Sequence, residues 1–138
     1  MAYENTSVAV PKSQEKIRRL ILDNGGTGVA FISQPPREGF EAQVTLGEKS
    51  YHIRVVAVCS KQANPKKREQ EERRVWRVLY HHMKAIYEAS KTGVLEFREM
   101  MMPYIVTSSG HTLAEHILPS LDKAVAGYSP KLLGGPTA

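Results

Sequence analysis

Residues 64–91, NPKKREQEERRVWRVLYHHMKAIYEASK, decide the fold of this chain. Asn64 is a good N-cap, and Pro65 fits the first helical turn, where a missing N–H costs nothing. From Lys66 to Arg74 nearly every residue is charged. Lys67–Glu71, Arg68–Glu72 and Glu69–Arg73 stand four apart, a spacing at which opposite charges support a helix by a few tenths of a kcal/mol per pair. From Val75 onward an apolar stripe sets in: Trp76, Leu79, Met83 and Ile86, flanked by Val75, Val78 and Tyr87. That is the spacing of a helix with one face buried. Lys91, Thr92 and Gly93 end it, with a cation in the last turn and a glycine to leave it. Such a helix is about 40 Å long at about 1.5 Å per residue, longer than a core of this size requires. The charged half is therefore expected to project beyond the core or to lie along its rim.

Three strand patterns precede the helix. The first runs from Val29 to Ser33. Pro35-Pro36-Arg37-Glu38-Gly39 reads as an open turn, because neither proline can donate to a ladder. Phe40 to Leu46 alternates, with Phe40, Ala42, Val44 and Leu46 on one face and Glu41, Gln43 and Thr45 on the other. Gly47-Glu48-Lys49 is a hairpin connection, and Ser50 to Val58 places Tyr51, Ile53, Val55 and Ala57 opposite His52 and Arg54. Before the strands, Ser13 is expected to cap a first helix whose buried stripe is Ile17, Leu20 and Ile21, with Lys16, Arg18 and Arg19 largely outside. Asn24-Gly25-Gly26 ends that helix. The cluster Gly25-Gly26-Thr27-Gly28 follows a helix and precedes a strand, the reverse of the order that a phosphate loop needs. The fold class expected is thus α+β: a three-stranded antiparallel meander packed on a long helix, in the order α-β-β-β-α, followed by short C-terminal helices.

After Gly93 a short helix is expected around Phe97 to Met102, broken by Pro103. Met100 to Met102 suit an adaptable contact in the core or between subunits. Ser108-Ser109-Gly110 is a turn, and Thr112 with Glu115 matches a capping box. The helix that follows carries Leu113, Ile117, Leu118 and Leu121, is interrupted at Pro119, and is expected to close the core or make a subunit contact. Residues 1–10 read as a flexible lead-in, 11–126 as one domain, and 127–138, rich in Gly and Pro, as a flexible tail.

With 138 residues, 41% of them hydrophobic and 24% charged, the chain is expected to form one domain with one core. No apolar run reaches the ~18 residues of a membrane span, and MAYENTSVAV lacks the basic start and apolar block of a secretory signal. The single cysteine, Cys59, ends an apolar run and reads as a buried thiol. A reducing, cytoplasmic setting is the expectation.

Motifs for catalysis are absent from the sequence. His111 and His116 flank HTLAEH without the i, i+4 pair and adjacent glutamate of a zinc-protease helix. His81 and His82 are neighbours on a helix, about 100° apart, and cannot share a ligand. There is no nucleophile elbow, phosphate-loop lysine or CxxC pair. Asp23 and Asp122 are the only aspartates, a poor provision for a metal-dependent nuclease. Neither enzyme activity, nor a metal, nor a cofactor is expected.

Charge is the remaining signal. The net charge is +5, and residues 61–77 hold seven cations against three anions. A run such as KKREQEERR is often only a solvated helix face. A functional reading places Arg54, on the wet side of the sheet, Lys61, in the crossing loop, and Lys66, Lys67, Arg68, Arg73, Arg74 and Arg77 along one groove. Nearby aromatics and His52 would stack on bases there. Cations along a backbone with planar groups beneath suit single strands without sequence readout.

The order helix, three strands, basic helix resembles two nucleic-acid-binding plans. One is the double-stranded RNA-binding domain, whose lysine-rich entry to the second helix is approximated by Asn64-Pro65-Lys66-Lys67-Arg68; that domain is about half this length and has an alanine-rich helix that this chain lacks. The other is the core of phage-type single-strand annealing proteins, matched in order by Leu22 to Gly28, the hairpin and Lys66 to Arg77, with Val29 where an aromatic is usual. The whole chain also resembles small phage and prophage proteins, through VPKS at the first helix and SSGHTLAEHILP near the end. The last resemblance covers most of the chain but implies no activity. The first two, together with the basic helix, imply sequence-independent nucleic-acid binding, single-stranded DNA favoured, with annealing in phage recombination or replication by a homo-oligomer as its sharpest form. An acidic protein partner, such as a host enzyme inhibited or redirected through the basic helix, is the alternative; no membrane partner is expected.

Overall fold

The structure, a computed structural model, describes residues 6–129. Helix α1 (Val10–Asp23) leads into strands β1 (Thr27–Gln34), β2 (Arg37–Leu46) and β3 (Lys49–Val58), and these into the long helix α2 (Pro65–Lys91). Three short helices follow, α3 (Phe97–Met101), α4 (Leu113–Ile117) and α5 (Leu121–Val125), with 3-10 turns at Met102–Tyr104 and Leu118–Ser120. The strands form one antiparallel sheet in the order β1-β2-β3. The architecture is the expected α+β meander on a long helix.

Register follows from alternation. Phe40 opposes Val55, Ala42 opposes Ile53 and Val44 opposes Tyr51, so their side chains share the face that α1 and α2 cover. Ile17 and Ile21 of α1 meet Trp76, Leu79, Met83 and Ile86 of α2 over that face, all of them at most 6% exposed. Trp76, 1% exposed, stands edge-on to Phe31 of β1 with centroids 5.7 Å apart. The apolar half of α2 is therefore fixed by packing. Its start is held by Asn64, whose side chain accepts from the Lys66 and Lys67 N–H groups.

Several local expectations change. Helix α1 begins at Val10 rather than after Ser13, because Pro11 suits the first turn and the Ala9 carbonyl already accepts from Lys12 and Ser13. Ser13 is fully buried and caps nothing. The open turn expected over residues 35–39 is a tight hairpin: Pro35 and Pro36, joined by a cis peptide, occupy the turn itself, where no ladder donor is needed. Arg37, Glu38 and Gly39 are already paired in β2. Gly39 has no room for a side chain, since a Cβ there would lie 2.1 Å from the Val55 carbonyl oxygen.

The methionine cluster is mostly absorbed by the core. Met101 is 1% exposed and Met100 packs against the core, leaving Met102 as the half-exposed member. The expected capping box at Thr112 and Glu115 is present. The helices beyond it do not close the core, however: Ile117, Leu118, Leu121 and Val125 are all exposed. What ties this region down is β3, where Ile105 bridges Ile53 and the Val106 N–H donates to the His52 carbonyl at 2.8 Å. The expected lead-in falls partly outside the described residues; within them, Thr6 accepts through its carbonyl from the Gln70 side chain at 2.9 Å. The expected tail lies outside the described residues from residue 130 onward.

Candidate functional site

The cations of α2 diverge around its axis. At about 100° per residue, Lys66, Arg73, Arg77 and Lys84 fall within about 40° of one another, since their spacing is seven, four and seven. Between them lie Gln70, Tyr80 and His81. The Arg77 guanidinium sits over the Tyr80 ring at 5.3 Å from its centroid, and Lys16 of α1 approaches the same ring at 5.6 Å. Packing of α1 on α2 thus adds a sixth cation to the five that α2 supplies when Lys67 is included.

Three of these charges, Arg77, Lys84 and Lys16, lie near enough to act on His81. His81 is held below its ordinary pKa, first by burial and then by the fields of Arg77, Lys84 and Lys16, with Glu88 acting in the opposite sense. Two anions interrupt the face: Glu69 pairs with Arg73 at 2.7 Å and Glu88 with Lys84 at 3.8 Å. Both glutamates are well exposed, at 63% and 66%, and exposed pairs of this kind hold weakly enough for another anion to displace them. At the helix start, Lys66, Lys67 and Arg73 border a recess with Glu69 and Gln70.

The other residues expected at the site go elsewhere. Arg54 alternates with Ile53 and Val55, so it points to the sheet face opposite α2. There it donates to Glu41 at 3.2 Å and to the Gly110 carbonyl at 3.0 Å, with Glu115 at 3.7 Å. His52 joins the same network, 2.8 Å from Glu41 and 3.1 Å from Gln43. The Glu41 carboxyl is held below its usual range, chiefly by the His52 hydrogen bond, which outweighs burial with help from the Arg54 charge. The expected groove joining Arg54 and His52 to the basic helix is not formed, because the sheet lies between them.

Arg74 is turned toward Glu71, at 2.6 Å. Lys61 and Arg68 line a pocket of about 500 Å³ at the end of the sheet, together with Pro35, Pro36, Glu38 and Cys59 and with Ser60, Gln62, Glu71 and Glu72. Glu71 accepts from both the Ser60 N–H, at 3.1 Å, and the Ser60 hydroxyl. Its carboxyl is pushed down to about 2, first by the Arg74 hydrogen bond and then, against burial, by those of Ser60. Burial, followed by the charges of Glu38, Glu71 and Glu72, pushes the Cys59 thiol up to about 11, so it stays protonated and unreactive at neutral pH.

Four of the eight residues singled out from sequence, Lys66, Lys67, Arg73 and Arg77, therefore lie together. Lys84 extends their seven-four-seven spacing and was legible from it. Lys16 was not, because its approach to Tyr80 depends on how two helices pack. Among the described residues, no group of three or more His, Cys, Asp or Glu is placed to hold a metal ion, and no helix is long and apolar enough to cross a membrane. His111 is taken up by Glu115 at 3.2 Å, and His116 by Thr107 and Ser109, each at 2.9 Å. Comparison with protein-family models, with curated proteins and with solved structures finds no match to this chain.

Proposed function

We propose that this protein binds nucleic acid without sequence readout, through the phosphate backbone, on the face formed by Lys66, Lys67, Arg73, Arg77 and Lys84 of α2 and Lys16 of α1. The observation that carries this reading is the convergence of Lys16 and Arg77 on Tyr80, with Lys84 near enough for its charge to act on His81. Like charges held this close repel one another, and a polyanion relieves that repulsion. The face runs about 27 Å from Lys66 to Lys84 at about 1.5 Å per residue. A phosphate backbone presents repeated charges over that distance, and Tyr80 and His81 offer planar groups beside them. Single-stranded DNA is the favoured ligand and strand annealing the sharpest version of the activity.

The test is fluorescence anisotropy with labelled single- and double-stranded oligonucleotides. Replacing Arg77 and Lys84 together by glutamine should weaken binding to all sequences alike, by about tenfold or more at low salt. Arg54→Gln should leave it unchanged. The His81 pKa, followed by NMR, should rise when an oligonucleotide binds, because the bound phosphates offset the fields of Arg77, Lys84 and Lys16. Loss of binding in Arg54→Gln with none in the double variant would move the site to the other face of the sheet. Absence of binding to every oligonucleotide would leave the basic face to an acidic protein surface.

A further inference from the structure

The pocket beside the Pro35-Pro36 turn contains a buried carboxyl oxygen that the fold leaves without a hydrogen-bond partner. Glu38 lies on the same face of β2 as Phe40 and is 2% exposed. One oxygen of its carboxyl, Oε1, accepts from the Ser33 hydroxyl at 3.0 Å, whereas Oε2 is buried and has no hydrogen-bond partner. A carboxylate oxygen withdrawn from water and left unbonded is costly to keep, and such groups are normally paired. Arg68 and Lys61 also line the pocket, but both are exposed and neither bonds Glu38.

Glu72, on the first turns of α2, lines the same pocket. Glu71 does not compete for a ligand, since Arg74 engages its Oε1 and Ser60 its Oε2. The remaining walls include Pro35, Pro36 and the protonated Cys59. We propose that this pocket binds an alkyl cation, a guanidinium or ammonium group on an apolar stem, with Glu38 Oε2 and the Glu72 carboxyl receiving its N–H donors and the two prolines packing on the stem. Two carboxyl groups among apolar walls suit such a group better than a hard metal ion, which needs six or more oxygen ligands. A charge-assisted hydrogen bond to a carboxylate is among the stronger ones, and several donors on one cation can serve both groups. Burial, then the Glu38 charge, oppose ionisation of Glu72, with the charge of Arg68 acting in the opposite sense; a bound cation would further offset the repulsion between the two carboxyl groups. The inference is independent of the basic face on α1 and α2, which turns away from this pocket.

The chemistry has two natural sources, a free polyamine or the side chain of an arginine or lysine in a peptide. The experiment is an amide chemical-shift titration of the full chain with n-butylguanidinium and n-butylammonium, with butyrate as the anionic control. Spermidine and a blocked arginine peptide, titrated in parallel, distinguish the sources by whichever binds more tightly. Saturable shifts are expected at Glu38, Cys59, Ser60 and Gln62 with the cations and not with butyrate. Glu38→Gln should weaken binding about tenfold or more, the scale of one charge-assisted hydrogen bond. Glu72→Gln, at a partly exposed helix position that does not endanger folding, should weaken it as well. Lys84→Gln should leave it unaltered. No saturation at tens of millimolar, equal shifts with butyrate, or undiminished affinity in Glu72→Gln would overturn the proposal.

Discussion

Glu71 lies in the half of α2 that the charge pattern marks as solvated, yet it is 8% exposed, because Ser60 and Arg74 close over it. From sequence it pairs with Lys67; in the structure the loop before α2 returns to it, a contact that no local spacing reveals. Its carboxyl titrates near 2 in the folded chain against 4.5 for an unperturbed one. A depressed folded pKa adds stability that is fully present above about 4.5 and is lost as pH falls through about 2. The contribution at neutral pH is on the order of 3–4 kcal/mol, since each tenfold change in proton affinity between the unfolded and folded chain corresponds to about 1.4 kcal/mol. Glu72 acts with the opposite sign: its raised pKa favours the folded state as it takes up a proton. Glu71→Gln should therefore lower neutral-pH stability and flatten the acid limb of a urea-unfolding series. An unchanged acid limb would show that the Ser60 and Arg74 contacts do not hold in solution.

The elements were legible where a period was clean and illegible where a tertiary contact set the boundary. Phe40 to Leu46 alternates, and the register follows directly. Glu38 and Gly39 break that alternation and come after two prolines, so β2 reads as starting at Phe40, three residues beyond its start at Arg37. Glu38 is a charged residue on the core-facing side, and Gly39 is a glycine because the Val55 carbonyl lies where its side chain would be. Gly39→Ala should consequently destabilise the sheet by ~3 kcal/mol or more, at or above the usual cost of overpacking, measured as a shift in denaturant midpoint. A loss below ~1 kcal/mol would mean that β2 and β3 can separate locally without unfolding. Helix α1 shows the same limit: its apolar stripe was readable, whereas its start depends on Pro11 and on Ala9, a residue with no side-chain cap to advertise it.

At the scale of the whole molecule, the meander and the long helix divide the charged residues among separate places. The sheet face away from α2 holds Arg54 and His52 in a network with Glu41, Gly110 and Glu115. The pocket at the sheet's end takes Lys61 and Arg68. Of the cations along α2, those on the outer side of the α1–α2 pair are left for a polyanion, and phosphate binding there is the function proposed. Anisotropy over a salt series tests it most directly. With single strands each phosphate contact contributes about −0.7 to the slope of log K against log salt, so five to six contacts predict roughly −3.5 to −4. In the Arg77→Gln, Lys84→Gln double variant the slope should become shallower by about 1.4 while the circular dichroism stays unchanged. A wild-type slope near zero, or one that the double variant leaves unaltered, would rule out phosphate binding on this face.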